Sequence, residues 1–291
     1  MLKKRVLIGV FLTLAFVSFL HAEDFFFDSD GVRIHYIIEG KGEPVILIHG
    51  FAANIAANWA APGVVKALAQ NYQVIALDNR GHGQSDKPHE ASAYGLKMCG
   101  DVIHLMDHLK IKKAHIVGYS MGGFMTGKLL AEHPERFITA TLGGAGWSKT
   151  DADQSGLEVL AKSLEEGKGI GPLLVFLTPK GQAPPSEQAI EATNKMFLSM
   201  NDAVALAGVA RGMSQFAVSE AKVRANKVPV LSLIGEVDPL KDGVDQLDGV
   251  MPHLTIHVIP AANHMTAFAN ADFIKTLKAF LAEHPEHSES R

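Results

Sequence analysis

Three residue types, far apart in this chain of 291 residues, could together cleave an acyl bond. The first is Ser120, set in Gly118-Tyr119-Ser120-Met121-Gly122. A serine hydroxyl is a poor nucleophile until a base takes its proton, and the base needs a third group to hold its tautomer. Downstream, Gly235-Glu236-Val237-Asp238-Pro239-Leu240 offers an acid and Ala261-Ala262-Asn263-His264-Met265 offers a base. Asp238 and His264 are the expected pair, with Glu236 the rival acid. His257 and His253 are poorer bases, one inside an expected strand and one before it. The bland alternatives are a flexible Gly/Ser turn at Ser120, a turn-shaping role for Asp238 ahead of Pro239, and a loop or helix-cap role for His264. The flanking glycines favour chemistry. A side chain at 118 or 122 would crowd a sharply turned serine, and such a turn lifts the hydroxyl onto a helix N-terminus, where N–H groups face developing negative charge.

The elements that must position these residues are legible in the apolar pattern. Residues 25–39 read as a β-hairpin around Ser29-Asp30-Gly31. Val45–Ile48, Val74–Leu77, Ala114–Val117, Phe137–Leu142, Val230–Ile234 and Leu254–Ile259 read as strands, several of them continuous apolar runs suited to burial on both faces. Helices are expected over 57–70, over 94–110 with Met98, Val102, Leu105, Met106 and Leu109 on one face, from Met121 to about His133, and over 272–281 with Asn270 as a cap. Alternating strands and helices argue a mostly parallel sheet covered on both faces. In such sheets ligands bind beyond the C-terminal strand ends, and the Ser120, Asp238 and His264 motifs all fall at such ends. From 148 to 226 the pattern becomes helical and amphipathic, as an insertion would.

Composition excludes several classes. A net charge of −4 and no basic stripe argue against a nucleic-acid partner. The 14 histidines do not pair at metal-ligand spacings, so no metal and no cofactor is expected. Cys99 is the sole cysteine; no internal disulfide can form, and the thiol is expected to pack in a helix. At the N-terminus, Lys3-Lys4-Arg5 precedes an apolar stretch from Val6 to Leu20, and Ala22 is a candidate last residue before cleavage. That pattern reads as a secretory signal peptide over 1–22 and hence as export to the periplasm or medium. Its length, about 15 residues, is short of the ~20 a spanning helix needs; a membrane attachment would run only through this segment if it stayed uncleaved. Cleavage would move the net charge from −4 to about −7.

The order Ser, Asp, His, with Gly118–Gly123, His49-Gly50-Phe51 and Asp78-Asn79-Arg80-Gly81-His82-Gly83-Gln84-Ser85, resembles the alpha/beta hydrolase superfamily over residues 25–147 and 228–282. The resemblance implies an eight-stranded, mostly parallel sheet, a core of residues 23–147 and 227–291, and a helical cap over 148–226. It implies that the N–H groups of Phe51 and Met121 form the oxyanion hole. It also implies that His49, Arg80 and Asp86 are scaffold, and that Phe51 and Trp147 line a substrate pocket. Ser120, Asp238 and His264 would then hydrolyse a small-molecule carboxylic ester or related acyl bond through an acyl-enzyme. A carbon–carbon bond hydrolase is the alternative within the fold, and a catalytically silent ligand-binding protein the alternative outside it. Relatives that cleave epoxides or carbon–halogen bonds use aspartate where Ser120 stands.

Overall fold

The computed structural model describes residues 23–150 and 155–286; the expected leader over 1–22 lies outside them. Eight strands form one sheet: β1 (Glu23–Ser29), β2 (Val32–Glu39), β3 (Glu43–Ile48), β4 (Tyr72–Leu77), β5 (Ala114–Tyr119), β6 (Phe137–Gly143), β7 (Val230–Gly235) and β8 (Leu254–Ile259). Their order across the sheet is β1-β2-β4-β3-β5-β6-β7-β8. β1 pairs antiparallel with β2, and β2 antiparallel with β4; from β4 onward every pairing is parallel. This is the alpha/beta arrangement the alternation of patterns predicts. The parallel strands are apolar throughout because both faces are covered. Along β3, Ile46 and Ile48 join one apolar cluster while Val45 and Leu47 join the other.

The two clusters are the two layers of core. One face carries α2 (Leu96–His108), through Met98, Val102 and Leu105, and α3 (Met121–Glu132), through Met121, Met125 and Leu129. The other carries α1 (Val64–Leu68) and α10 (Ala271–Glu283), through Val64, Leu68, Phe273, Leu277 and Phe280. Asn270 caps α10 by accepting the Asp272 N–H, as its residue type predicts. The long helix expected over 57–70 is not continuous. A π-helical turn at Ala56–Ala60 gives way at Pro62-Gly63, where Gly63 takes φ 86°, before α1 begins. Proline disrupts the preceding turn and glycine supplies the left-handed residue.

Between β6 and β7 the chain runs through α4 (Ser155–Glu165), α5 (Gly171–Phe176), α6 (Glu187–Met200), α7 (Ala203–Gly212) and α8 (Glu220–Arg224). Among the described residues its only bridge pairing is Lys149 with Val218, which joins the start of the segment to its end. Leu160, Leu206 and Phe216 of this segment are buried in the α2–α3 face cluster. α9 (Lys241–Asp245) follows β7.

The β5–α3 junction has no spare volume. A Cβ at Gly118 would lie 2.0 Å from the Gly122 carbonyl oxygen, and one at Gly122 would lie 2.1 Å from the Ile48 carbonyl oxygen. Both obstacles are backbone and cannot swing away. Gly122→Ala is therefore expected to destabilise the fold by roughly 3 kcal/mol or more, measured as the loss in urea midpoint at unchanged m-value.

Candidate active site

Ser120 sits where β5 ends and α3 begins, half-buried, with φ 54° and ψ −117°. Such a backbone is strained for any residue but glycine. It is held by hydrogen bonds on both sides: the Ser120 N–H donates to the Gly143 carbonyl and the Phe124 N–H to the Ser120 carbonyl. Asp238, in the turn after β7, is fully buried. Its Oδ1 accepts the Leu240 N–H at 2.9 Å and its Oδ2 accepts from His264 Nδ1 at 2.9 Å. An ionised carboxylate only accepts, so Nδ1 carries the proton and Nε2 keeps its lone pair. That Nε2 lies 2.9 Å from Ser120 Oγ. Residues 120, 238 and 264 thus form one continuous hydrogen-bonded line.

The loops bearing the acid and the base are tied to each other. The Val237 N–H donates to the Ala262 carbonyl, and the Glu236 carboxylate accepts the Ala261 N–H. Glu236, the rival acid, is exposed and spends its charge on that tie. His257 pairs with Asp272 at the start of α10, and His253 is exposed in the turn before β8. A residue the sequence reading passed over completes the arrangement. The Tyr119 hydroxyl donates to the His264 carbonyl, and its ring lies 5.4 Å from the imidazole, centroid to centroid. Burial holds the Tyr119 phenol far above its ordinary pKa, so it stays a donor. Only its place beside Ser120 marked it, and residue type alone does not reveal such a support.

The loop after β3 approaches the same point. A Cβ built on Gly50 would lie 3.2 Å from Ser120 Cβ. The Gly50 carbonyl accepts from His49 Nδ1 at 2.7 Å and from the Ala53 N–H at 3.2 Å. It shares a planar peptide unit with the Phe51 N–H, so fixing one end aims the other. Among the described residues neither the Phe51 nor the Met121 N–H has a hydrogen-bond partner. Two free amides beside a serine can receive an oxyanion. Trp147 is placed elsewhere. Its indole N–H donates to the Val218 carbonyl, the Lys149 ammonium lies over its ring, and it lines a cavity of about 30 Å3 with Phe124, Leu142 and Met251. That lining does not include Ser120, Asp238 or His264.

The supporting loop after β4 carries buried charge at Asp78 and Arg80. Arg80 forms a two-armed pair with Asp101, while Asp86 accepts the Arg33 N–H. Asp78 accepts from His35 Nδ1 and from the Ile55 and Gln84 amides. Burial opposes its charge, but the His35 bond, the nearby His49 and those amides hold its carboxyl down at about 2. Burial pushes His49 below its usual range and, with the adjacent His49 ring, pushes His82 down to about 3. Among the described residues no group of three or more His, Cys, Asp or Glu converges as metal ligands would.

Residues 43–160 match the sequence profile of the alpha/beta hydrolase fold. The dihydrolipoyllysine-residue acetyltransferase component of the acetoin cleaving system of Cupriavidus necator is 41% identical over 118 residues, 40% of this chain and 30% of that protein. The same component from Pseudomonas putida is 28% identical over 84% of this chain and 64% of its own length. The chain thus spans less than two thirds of either relative. Among solved structures, a thermophilic esterase from Thermogutta terrifontis superimposes with a TM-score of 0.74 at 23% identity, over 91% of this chain and 100% of that one. The 2-hydroxy-6-oxo-6-phenylhexa-2,4-dienoate hydrolase of Rhodococcus sp. RHA1 gives a TM-score of 0.68 at 25% identity, over 91% and 98%.

Two predictions follow from this geometry. Tyr119→Phe keeps the ring and deletes one hydroxyl, leaving the His264 carbonyl short of a donor; any turnover that uses the Ser120–His264 pair is expected to fall about 3–10-fold in kcat with KM little changed. The second concerns pH. His49 and His82 are neutral in the fold but protonate near 6.5 when unfolded, so the unfolded state binds more protons below that pH and stability falls as pH drops from 6.5 toward 3. His35, whose pKa is raised despite burial by Asp78 and Asp24, acts oppositely, stabilising below 6.5 and losing that effect as pH rises through its own pKa. With two lowered groups against one in this network, thermal unfolding should occur at lower temperature at pH 5 than at pH 7, and the difference should narrow in His82→Gln.

Proposed function

We propose, from the match of residues 43–160 to the alpha/beta hydrolase fold, that this chain is an exported serine hydrolase of small-molecule carboxylic esters or related acyl bonds. The observation that carries the reading is the hydrogen-bonded line from Asp238 through His264 to Ser120, 2.9 Å at each step. In this reading Ser120 Oγ attacks the substrate carbonyl carbon while His264 Nε2 takes its proton. The carbonyl oxygen becomes an oxyanion and accepts from the Phe51 and Met121 amides. Asp238 stabilises the imidazolium and holds its ring. His264 then protonates the departing alcohol oxygen, and the acyl group stays on Ser120. Water, deprotonated by His264, attacks the acyl-enzyme and releases the acid.

Each oxyanion donor of this type lowers the barrier by about 2.7–4 kcal/mol. The helices between β6 and β7 are read as a cap over this opening, with residues 148–226 as its span. Export rests on the basic and apolar character of residues 1–22. A second reading, cleavage of a carbon–carbon bond, is favoured by the likeness to the Rhodococcus dienoate hydrolase.

Purified protein is expected to hydrolyse short p-nitrophenyl esters, and Ser120→Ala to lose at least about 1,000-fold in kcat. Retention of activity in that variant would reject the assignment. A fluorophosphonate probe should label Ser120 in the wild type; absence of labelling would favour a binding protein. Turnover of a dienone acid faster than any ester would favour the second reading. N-terminal sequencing of the exported protein should begin at Glu23.

A further inference from the structure

We propose that His82 and Asn58 are positioning residues that pre-organise the oxyanion hole by gripping the amides on either side of Phe51. This deepens the serine-hydrolase reading and rests on it. Three successive peptide units make the loop, and each is held at a different point. The Gly50 N–H donates to Asn58 Oδ1 at 2.9 Å. The Gly50 carbonyl, at the far end of the Phe51 peptide, is held by the His49 ring and the Ala53 amide. The Ala52 N–H donates to His82 Nε2 at 3.1 Å. Of three consecutive amides the outer two are committed and the middle one alone is free.

The grip is needed because the loop is not at rest. Ala52 takes φ 59°, the left-handed position that a turn of this kind ordinarily gives to glycine. An alanine there holds its place only if the surroundings over-determine it. His82 is built for that task. Its Nδ1 donates to the Arg80 carbonyl, so Nε2 carries the lone pair that Ala52 requires. The ring is almost wholly buried, edge-on to both His49 and Phe51, and its lowered pKa keeps it neutral. Asn58 is equally buried, and its side chain lies against the Gly50 backbone that abuts Ser120. Neither residue touches the reacting atoms. Their effect passes through two backbone planes to the direction of one N–H, where a misplacement of about 1 Å costs about 100-fold in rate.

The test uses the full chain and a trifluoromethyl ketone. Ser120 Oγ adds to the ketone carbon, its proton passes to His264, and the carbonyl electron pair becomes an oxyanion lodged in the hole. Asn58→Leu and His82→Phe remove the acceptors at nearly constant volume, whereas His82→Gln puts an amide oxygen near the place of Nε2. Asn58→Leu and His82→Phe are expected to lower kcat and to weaken ketone binding by the same factor, about 10–100-fold. KM should change less than about twofold, the pH midpoint of kcat/KM should stay put, and His82→Gln should recover most of the loss. Ketone affinity and kcat within about twofold of wild type in folded Asn58→Leu and His82→Gln, with His82→Phe equally active or unfolded, would overturn the proposal. So would losses in KM rather than kcat, or His82→Gln as impaired as His82→Phe. A wild type that neither binds the ketone nor labels at Ser120 would instead sink the serine-hydrolase reading, and the proposal with it.

Discussion

The structure depends on how closely two pieces of backbone approach at the centre of the sheet. α3 leaves β5 with Gly122 pressed against the carbonyl of Ile48, the last residue of β3. No side chain separates them. That contact forces Ser120 into its left-handed backbone, points its hydroxyl off the strand end, and brings the loop after β3 beside it. The strain at one residue is supported by neighbours that are themselves central strands buried on both sides, β3 and β6. A rigid sheet is what allows a turn of this kind to persist.

Around that contact the chain buries an unusual amount of polar chemistry. His35, His49, Asp78, Asn79, Arg80, His82 and Asp101 are all nearly inaccessible. Buried polar groups are tolerable when each finds a partner, and here most partners are loop amides and carbonyls. Asp78 gathers two amides and an imidazole, and Arg80 reaches the Ala93 carbonyl as well as Asp101. Side chains therefore do for these loops what ladder bonds do for strands. The loops that meet Ser120 are irregular in shape and still fixed in position.

The His264 side chain is held by similar means. His264 lies in a loop after β8, at the sheet's edge, far from β5 in chain order. Three anchors bring it in: Asp238 on Nδ1, Tyr119 on its carbonyl, and the Ala262 carbonyl bonded to Val237. A Cβ on Gly235 would strike the Ala262 carbonyl at 2.4 Å, so the acid and base loops touch through backbone, as β5 and β3 do.

Much of this was legible in the chain. Alternating apolar runs and amphipathic stretches gave the parallel sheet and its two faces, because burial on one side or two leaves its period in the residues themselves. Gly118 and Gly122 marked the sharp turn, and Asp238 and His264 stood out as titratable residues just past strand ends. The break at Pro62-Gly63 went unread, because the apolar pattern over 57–70 is that of one continuous helix. Tyr119, Asn58 and His82 were not legible as supports. A tyrosine hydroxyl, an amide oxygen and an imidazole nitrogen have no periodicity, and their partners are backbone groups that carry no residue identity. Nor could Trp147 be placed by type, since an indole can face a ligand or a carbonyl equally well. The amino-acid sequence by itself determined which elements form and which residues could do chemistry, for those follow from local pattern and side-chain type. Only the tertiary structure decided which backbone amides are taken and which are left free, because that depends on atoms meeting across large separations in the chain.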